Sequence, residues 1–330
     1  MDLVTGASGF VGPYLVRALV QRGRRVRCMI RNPQLAHTLE ALGAEVVTFD
    51  RFGEAAFAQA LAGVARVYHL AGGGKVGAHG DAGLAQLRAS NVAPLESLLR
   101  VARERPLERI VHFSSISSMG IQFDIRLDED SPPRPVTPHE VVKLESERVA
   151  LAAWERDRMP VVVLRPAQIY GPGDVRSDIP KLVRLARRGL VPLFGAGNGL
   201  VPWVFVSDVV DAALSACERE EALGRVYIVS DAESMRFGDV VDVMACALGR
   251  RRGGFAVPDA VAVPAIRLVE TMAGALGLDA PFTRHRLASL SGRRIYSIDR
   301  ARRELGYAPK VHLQEGMART VRWYVEQRLV

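Results

Sequence analysis

The stretch Thr5-Gly6-Ala7-Ser8-Gly9-Phe10-Val11-Gly12 contains three glycines with two residues between each consecutive pair. It follows the short apolar segment Leu3-Val4 and precedes a helix-like stretch from Pro13 to Gln21. Between a strand and a helix, the first glycine permits a tight turn, and the second lets the backbone approach a pyrophosphate. The third lets the helix pack closely on the strand. Because the helix N-terminus also offers unpaired N–H groups and a partial positive charge, the stretch predicts a nucleotide site.

The composition is that of an ordinary globular protein, with 48% hydrophobic and 24% charged residues among 330. Cys28, Cys217 and Cys246 are too few and too scattered for a disulfide framework or a metal site, so we expect a reducing cytoplasm. No basic and apolar leader precedes the first strand, which argues against secretion.

The net charge of +8 comes mainly from dispersed arginine doublets without interleaved aromatic residues. We therefore expect no nucleic-acid partner.

Two further segments bear on the substrate site. The weakly polar residues 255–282 are interrupted by charges and prolines, so they are too broken to span a membrane. They could line an apolar substrate pocket or lie on a membrane surface, and we favour the pocket. The glycine-rich Gly72-Gly73-Gly74-Lys75 follows a predicted strand, and we interpret it as a mobile turn rather than a lid.

Strands and helices alternate regularly through the first half of the chain. The predicted strands after the first cover residues 25–30, 44–48, 66–71, 109–113 and 161–164, and predicted helices cover 34–42 and 54–62. Apolar, β-branched strands in such alternation predict an α/β fold with a doubly wound parallel sheet covered on both faces. Proline and glycine become dense after Arg165, which indicates a smaller and more irregular C-terminal substrate lobe.

The predicted domain division follows from this change. The dinucleotide-binding domain covers residues 1–171, with residues 201–229 partly returning to it, and the substrate lobe covers residues 172–200 and 230–330.

Several short motifs follow the glycine stretch in a fixed order along the chain. They are residues 67–71, 91–92, 114–115, 164–166, 169–173, 206–209 and 304–309. In type and order they resemble those of the extended short-chain dehydrogenase/reductases, the NAD(P)-dependent epimerase/dehydratase family. The apolar C-terminal lobe is most similar to the branch that contains dihydroflavonol reductases and 3β-hydroxysteroid dehydrogenases. The resemblance implies a Rossmann fold and a homodimer built from the helices after the fourth and fifth strands.

The end of the second strand indicates which nicotinamide cofactor binds. NAD-binding proteins usually place an acidic residue there for the ribose hydroxyls, whereas this chain has Arg31 and Asn32. A guanidinium binds a 2′-phosphate bidentately, which favours NADP(H) over NAD(H). The alternative is an ordinary surface arginine. The predicted cofactor-binding residues, several of them implied by the resemblance, are Gly6, Ser8, Gly9, Phe10, Val11, Gly12, Arg31, Asp50, Leu70, Ala71, Asn91, Lys143, Pro166 and Ile169.

The catalytic window departs from the family pattern. The resemblance implies a Ser or Thr, a Tyr, and a Lys four residues after that Tyr. The spacing from Ser115 places this window on residues 139–143, where Lys143 is present and His139 stands in the tyrosine position. The predicted catalytic residues are therefore Ser115, His139 and Lys143.

Three interpretations of His139 stay open. It could replace the tyrosine as proton carrier in an NADP(H)-dependent oxidoreductase, since its ordinary pKa of about 6.5 suits acid–base work. It could serve redox-neutral chemistry, with NADP(H) retained structurally or recycled, or it could be tolerated in a catalytically silent NADP(H)-binding protein. His112 and Tyr170 are lesser candidates for the proton carrier. We favour the oxidoreductase, with a mid-sized apolar carbonyl or alcohol as its small-molecule substrate.

Overall fold

The structure is a computed structural model that describes residues 1–73, 80–275 and 283–330. Gly74 and Lys75 of the predicted glycine-rich turn lie outside the described residues. The end of the predicted apolar stretch, residues 276–282, lies outside them as well.

The strands and helices have the following bounds. The strands are β1 Asp2–Thr5, β2 Val26–Ile30, β3 Glu45–Thr48, β4 Arg66–His69, β5 Arg109–Phe113, β6 Arg126–Leu127, β7 Val161–Pro166, β8 Gln168–Tyr170, β9 Val191–Phe194, β10 Leu200–Val201, β11 Trp203–Phe205, β12 Val226–Val229, β13 Met235–Arg236, β14 Gly254–Val257 and β15 Ile295–Tyr296. The helices are α1 Gly12–Gln21, α2 Ala36–Glu40, α3 Glu54–Ala60, α4 Gly80–Asn91, α5 Ala93–Ala102, α6 Pro138–Asp157, α7 Ile179–Arg188, α8 Val206–Glu218, α9 Phe237–Cys246, α10 Asp259–Ala275, α11 Arg284–Ser291 and α12 Leu313–Glu326.

A seven-stranded parallel sheet organises the described residues, in the order β12-β7-β5-β4-β1-β2-β3. The strand order reverses beside β1, because β2 and β3 lie on one side of it and β4, β5 and β7 lie on the other. Ligands of open parallel sheets bind in the crevice beyond the carboxyl ends of the strands at such a reversal. The predicted doubly wound Rossmann-type fold is therefore confirmed, and its crevice opens where the glycine stretch begins.

Alternate residues of each strand enter two different cores, because side chains alternate across a sheet. Val4 and Val111 face the core that includes α1 and α8, whereas Leu3 and Ile110 face the core that includes α3, α5 and α6. Both faces are thus covered by helices, which explains why the strands at the centre of the sheet are buried and mainly apolar.

Several boundaries differ from the predicted ones. The helix expected over 34–42 is reduced to α2, since the Asn32 side chain accepts a hydrogen bond from the Gln34 N–H and caps a short 3₁₀ turn before it. The sixth strand runs on to Pro166, beyond the predicted 161–164. The motif at 91–92 lies at the junction of two helices, because Asn91 is the last residue of α4 and Val92 is the N-cap of α5.

The chain after β7 builds four two-stranded sheets, in which β8 pairs with β11, β9 with β14, β10 with β13, and β6 with β15. A third core, formed by α7, α9 and α12, packs beneath β8 and β11. The chain returns to the main sheet once, as α8 on its face and β12 at its edge. The division into two domains at residue 171 stays a prediction.

The apolar stretch predicted as a pocket wall forms β14 and α10. Ala262 and Ile266 of α10 are buried in a small core, whereas Val261, Leu268 and Met272 are exposed. Among the described residues, only one face of α10 is therefore covered, and its contribution to a substrate pocket stays a prediction.

Candidate active site

The glycine stretch forms a turn that other residues could not adopt. Gly6 has φ +69°, and a Cβ there would lie 2.8 Å from the backbone nitrogen of Ala71. The Gly9 N–H donates to the Gly6 carbonyl over 2.9 Å and closes the turn. A Cβ on Gly12 would lie 2.1 Å from the Ala7 carbonyl oxygen. Two of the three glycines are thus required by contacts within the protein itself.

The N-terminus of α1 fits a dinucleotide's pyrophosphate. No side chain caps this helix, and its first turn contains no acidic residue. The first N–H groups of a helix have no partners within it, so they can donate to an anion placed at the turn. Tyr14 fastens α1 to the loop after β8, because its hydroxyl donates to the Pro172 carbonyl over 2.8 Å. The donor set is therefore that of a phosphate cradle.

The loop after β4 forms the opposite wall of the crevice. Thr5 Oγ1 lies 2.9 Å from His69 Nδ1 and accepts a hydrogen bond from the Ala71 N–H over 3.2 Å. Asn91 is buried and is bonded to the loop backbone at both ends of its amide. Its Oδ1 accepts from the Gly73 N–H over 3.2 Å, and its Nδ2 donates to the Gly73 carbonyl over 2.9 Å. The Asn91 amide thereby fixes the loop, and its predicted contact to the cofactor stays a prediction.

The remaining predicted cofactor residues lie around the same crevice. Arg31 follows β2 and Asp50 follows β3, and both side chains are exposed. Within the described residues, Arg31 makes no hydrogen bond or ion pair. Ser8, Phe10 and Val11 form the partly exposed turn, Leu70 and Ala71 follow β4, Pro166 ends β7, and Ile169 lies in β8. Their contacts with a cofactor stay predictions.

Two adjacent serines at the end of β5 have different surroundings. Ser114 is buried, and its hydroxyl donates to Glu147 Oε2 over 3.0 Å. Glu147 also binds the Arg165 guanidinium in a buried ion pair. Ser115 is partly exposed and accepts a hydrogen bond from the Ser117 N–H over 3.2 Å. Because its O–H is still free to donate, Ser115 is the serine that can bind a substrate oxygen.

His139 and Lys143 lie one turn apart at the start of α6. Thr137 and Glu140 cap the helix reciprocally, which fixes the first turn on which His139 lies. Residues four apart lie on one face of a helix, so the two side chains are neighbours. Burial lowers the pKa of His139, and the Lys143 ammonium lowers it further, against a smaller opposing effect of Glu140. Burial also lowers the pKa of Lys143 to about 8.

The other histidines near the sheet are poor proton carriers. The rings of His69 and His112 stack with centroids 5.5 Å apart, and both residues are buried. Burial and the Lys143 charge lower the pKa of His69 to about 3. Burial, with His69 and Lys143 nearby, lowers the pKa of His112 well below its ordinary value. Tyr170 is buried against Trp203 and Phe205, so it packs in the core. His139 is therefore the best placed carrier among these candidates.

A second buried acid beside the site is not apparent from the sequence. Glu140 Oε2 accepts from the Val136 N–H over 2.8 Å and from the Thr137 N–H over 3.0 Å, while Oε1 lies 3.1 Å from His285 Nε2. Burial raises the pKa of Glu140, but these hydrogen bonds outweigh it and leave the pKa below its ordinary value. The link from Glu140 to His285 ties α6 to α11 and fixes the residue next to His139.

The fold and this crevice define a nucleotide-dependent enzyme of the Rossmann class. The model of the NAD dependent epimerase/dehydratase family matches residues 3–230. The chain belongs to this family, whose members bind NAD(P), and it is an NAD(P)-dependent oxidoreductase of the extended short-chain dehydrogenase/reductase type.

Curated relatives and solved structures match this chain over 95% or more of its length. The chain is 29% identical over 335 residues to the 2-alkyl-3-oxoalkanoate reductase of Stenotrophomonas maltophilia (strain K279a), which covers 96% of this chain and 97% of that protein. It is 30% identical over 322 residues to the 4-hydroxy-2-methyl-3-oxo-4-farnesyl-3,4-dihydroquinoline-1-oxide ketoreductase of Stigmatella aurantiaca, with 95% and 93% covered. The structure of UDP-glucuronic acid 4-epimerase from Bacillus cereus in complex with NAD matches with a TM-score of 0.78 at 20% identity, over 100% of this chain and 99% of that one.

Within residues 1–73, 80–275 and 283–330, no helix is both long enough and apolar enough to cross a bilayer.

Proposed function

We propose that this protein is an NADP(H)-dependent oxidoreductase that acts on the carbonyl or alcohol of a mid-sized apolar metabolite, with His139 in the usual tyrosine position. The observation that carries the proposal is the pairing of His139 with Lys143 on the first two turns of α6, which packs against the turn that Ser115 begins. This places a hydroxyl, an imidazole and an ammonium on neighbouring elements. A bound NADP(H) would supply or accept the hydride.

Each of the three residues has a role that its surroundings permit. The Ser115 hydroxyl donates to the substrate oxygen, because its O–H has no acceptor among the described residues while its oxygen accepts from the Ser117 N–H. The Lys143 ammonium lies near Gly72 at the end of the β4 loop, where it can hold the ribose and stabilise a developing oxyanion. His139 is neutral at pH 7 because its pKa is lowered, so it accepts a proton from an alcohol directly or through water.

The relatives support the class of substrate. A 2-alkyl-3-oxoalkanoate and a farnesyl-bearing quinoline both combine a ketone with an apolar chain, and the names of both relatives denote ketone reduction. An apolar ketone or secondary alcohol is therefore the substrate we propose here. We also propose that the protein works in the cytoplasm.

A redox-neutral reaction is the second candidate. It is favoured by the lowered pKa of His139, which keeps the imidazole neutral near pH 7 and therefore able to accept a proton from a carbon next to a carbonyl. The two candidates differ in one measurable respect. Net consumption of NADPH with an apolar ketone supports the oxidoreductase, whereas product formation at constant NADPH absorbance supports the redox-neutral enzyme. The Lys143→Met variant serves as the control in both assays.

Arg31 determines the preference for NADP(H) in this proposal. We expect Arg31→Ala to raise the Kd for NADPH about 10- to 100-fold and leave that for NADH unchanged, because only the 2′-phosphate loses a charge-assisted partner. Calorimetric titration of both nucleotides measures the effect. Arg25→Ala is the matched control, since Arg25 is exposed and directly precedes β2, at the end opposite Arg31. Unchanged NADPH affinity in Arg31→Ala would show that another group binds the phosphate.

We further propose a homodimer formed through the outer faces of α4 and α6. A surface groove of about 520 Å³ lies there, lined by Val141, Leu144, Val149 and Ala152 among charged residues. An apolar groove bordered by charges is typical of a subunit contact. Light scattering after size-exclusion chromatography should give the mass of two chains for the wild type and of one chain for Ala152→Glu. A monomeric wild type would refute this arrangement.

A further inference from the structure

The turn that Ser115 begins is held by one carboxylate oxygen on both sides of Ser115. Ser114 directly precedes it, and Ser118 follows three residues later in the same 3₁₀ turn. Both of these serines are buried. The Ser114 hydroxyl donates to Glu147 Oε2 over 3.0 Å, and the Ser118 hydroxyl donates to the same oxygen over 3.1 Å. The candidate serine thus lies between two contacts to a single acceptor.

Glu147 lies in α6, on the side of the helix that carries the other two candidate catalytic residues. His139, Lys143 and Glu147 are spaced by four residues, so they follow one another along one side of the helix. The turn after β5 packs against this helix. The two serine contacts therefore tie the position of Ser115 to the side of α6 that presents the imidazole and the ammonium.

The Glu147 carboxylate is itself fixed by a buried cation. Arg165 Nε lies 3.1 Å from Glu147 Oε1 and 3.0 Å from Oε2, and a terminal N–H of the same guanidinium also donates to Oε1. Another N–H of Arg165 donates to the Glu129 carbonyl over 3.2 Å. A carboxylate held by a planar guanidinium has little freedom to rotate. Its Oε2 is therefore a fixed acceptor for the two serine hydroxyls.

The buried ion pair alone does not account for the two serines. Arg165 lies in β7, so its pair with Glu147 already joins this strand to α6. Among the described residues, the Ser114 and Ser118 side chains make no hydrogen bond other than the one to Glu147. What these two hydroxyls add is the placement of the turn between them. Because the Ser115 hydroxyl is itself bonded to the backbone of this turn, its position follows that of the turn.

We propose that Glu147 is a positioning residue of the active site. Through Ser114 and Ser118 it holds the Ser115 hydroxyl at a fixed place along α6, beside the side chain of His139. This inference rests on the proposed function and adds the group that fixes the geometry of its site. A misplacement of about 1 Å costs on the order of 100-fold in rate, so turnover depends on these contacts. Binding of NADPH does not, because neither serine hydroxyl is free to contact it.

Removal of the two hydroxyls tests the proposal in the full-length protein. Glu147→Gln is unsuitable, because it leaves the buried Arg165 charge without its anion and destabilises the whole fold. The double variant Ser114→Ala/Ser118→Ala leaves the ion pair in place. It should lower kcat for the reduction of ethyl 2-methyl-3-oxobutanoate by NADPH about 10- to 100-fold. The Kd for NADPH should stay unchanged.

The same two substitutions in a Ser115→Ala background separate positioning from stability. In that background they should lower kcat by less than about twofold, because the hydroxyls act through Ser115. An equal loss of kcat in both backgrounds would mean that the serines only stabilise the fold, and would overturn the proposal. Thr320→Val is the matched control, since it removes a buried hydroxyl that is bonded to the Gly316 carbonyl in α12. It should leave kcat unchanged.

Hydrogen exchange measures the same contacts without turnover. In Ser114→Ala/Ser118→Ala, the amides of residues 115–120 should exchange about 10-fold faster or more, while those of residues 141–151 in α6 keep the wild-type rate. Thr320→Val should change neither segment. Unchanged exchange in the turn, or equal acceleration in α6, would overturn the proposal. If the wild type does not reduce the ketone, the proposed function fails for this probe, and the exchange rates alone decide whether Glu147 holds the turn.

Discussion

Gly12→Ala is expected to lower the stability of the protein and abolish tight nucleotide binding together. The added Cβ would lie 2.1 Å from the Ala7 carbonyl oxygen, and the next nearest atoms are backbone as well. Since no flexible side chain can move away, α1 must shift as a unit. Overpacking of this kind costs about 1–3 kcal/mol. The shift also moves the first-turn N–H groups away from the phosphate position, so we expect the Kd for NADPH to rise about 100-fold or more.

Urea unfolding and calorimetric titration with NADPH measure the two effects of Gly12→Ala. Gly274→Ala is the matched control, because Gly274 lies in α10 with no atom near its would-be Cβ. Alanine there should stabilise the protein slightly, by up to about 1 kcal/mol, and leave nucleotide binding unchanged. A Gly12→Ala variant with wild-type stability and affinity would show that the helix does not approach the turn as closely as described.

Replacement of His139 is expected to have the largest effect on turnover. His139→Gln should lower the rate of alcohol oxidation about 10²- to 10⁴-fold, the usual contribution of a positioned base. The dependence of the wild-type oxidation rate on pH should also show the titration of this base. Because the pKa of His139 lies below its ordinary value of about 6.5, oxidation should rise with pH through a midpoint below that value. In the reverse direction, where His139 must donate, the rate should fall over the same range. If the pH dependence of oxidation below neutrality is lost in His139→Gln, the group that titrates there is the imidazole.

Lys143 should cause a decrease of turnover at alkaline pH in the same pH profile. Its pKa is lowered to about 8, so the ammonium is lost as the pH rises through that value, and turnover should decline there. Lys143→Met should remove the alkaline limb with a lower maximal rate. An alkaline limb that persists in Lys143→Met, or an acidic limb that persists in His139→Gln, would assign the proton transfers to other groups. His139→Tyr with increased reductase activity would indicate that the natural reaction is redox-neutral.

The local part of this structure could be predicted from the sequence. The turn at Gly6, the strand at 109–113 and the alternation of strands and helices depend on neighbouring residues, so the order of glycines and apolar runs predicts them. The position of Lys143 four residues after His139 is equally local. These features account for the sheet and for the crevice at its carboxyl edge.

The distant contacts of the site could not be predicted in this way. Glu140 and His285 are 145 positions apart, and no property of either neighbourhood indicates the other. The same is true of Glu147, whose contacts with Ser114 and Ser118 span 33 and 29 positions. Only the family resemblance predicts that Ser115, and not Ser114, is the catalytic serine. The structure adds a physical reason, since Ser114 is bonded to Glu147.

The return of the chain to the edge of the sheet has a consequence for biosynthesis. β7 is buried along its whole length and is apolar except for Arg165. Its outer neighbour β12 is formed by residues 226–229, which are translated only after the segment between the two strands. Until then the nascent chain carries an unprotected apolar edge strand, which is a template for intermolecular pairing. A ribosome that stalls between β7 and β12 would therefore release an aggregation-prone fragment.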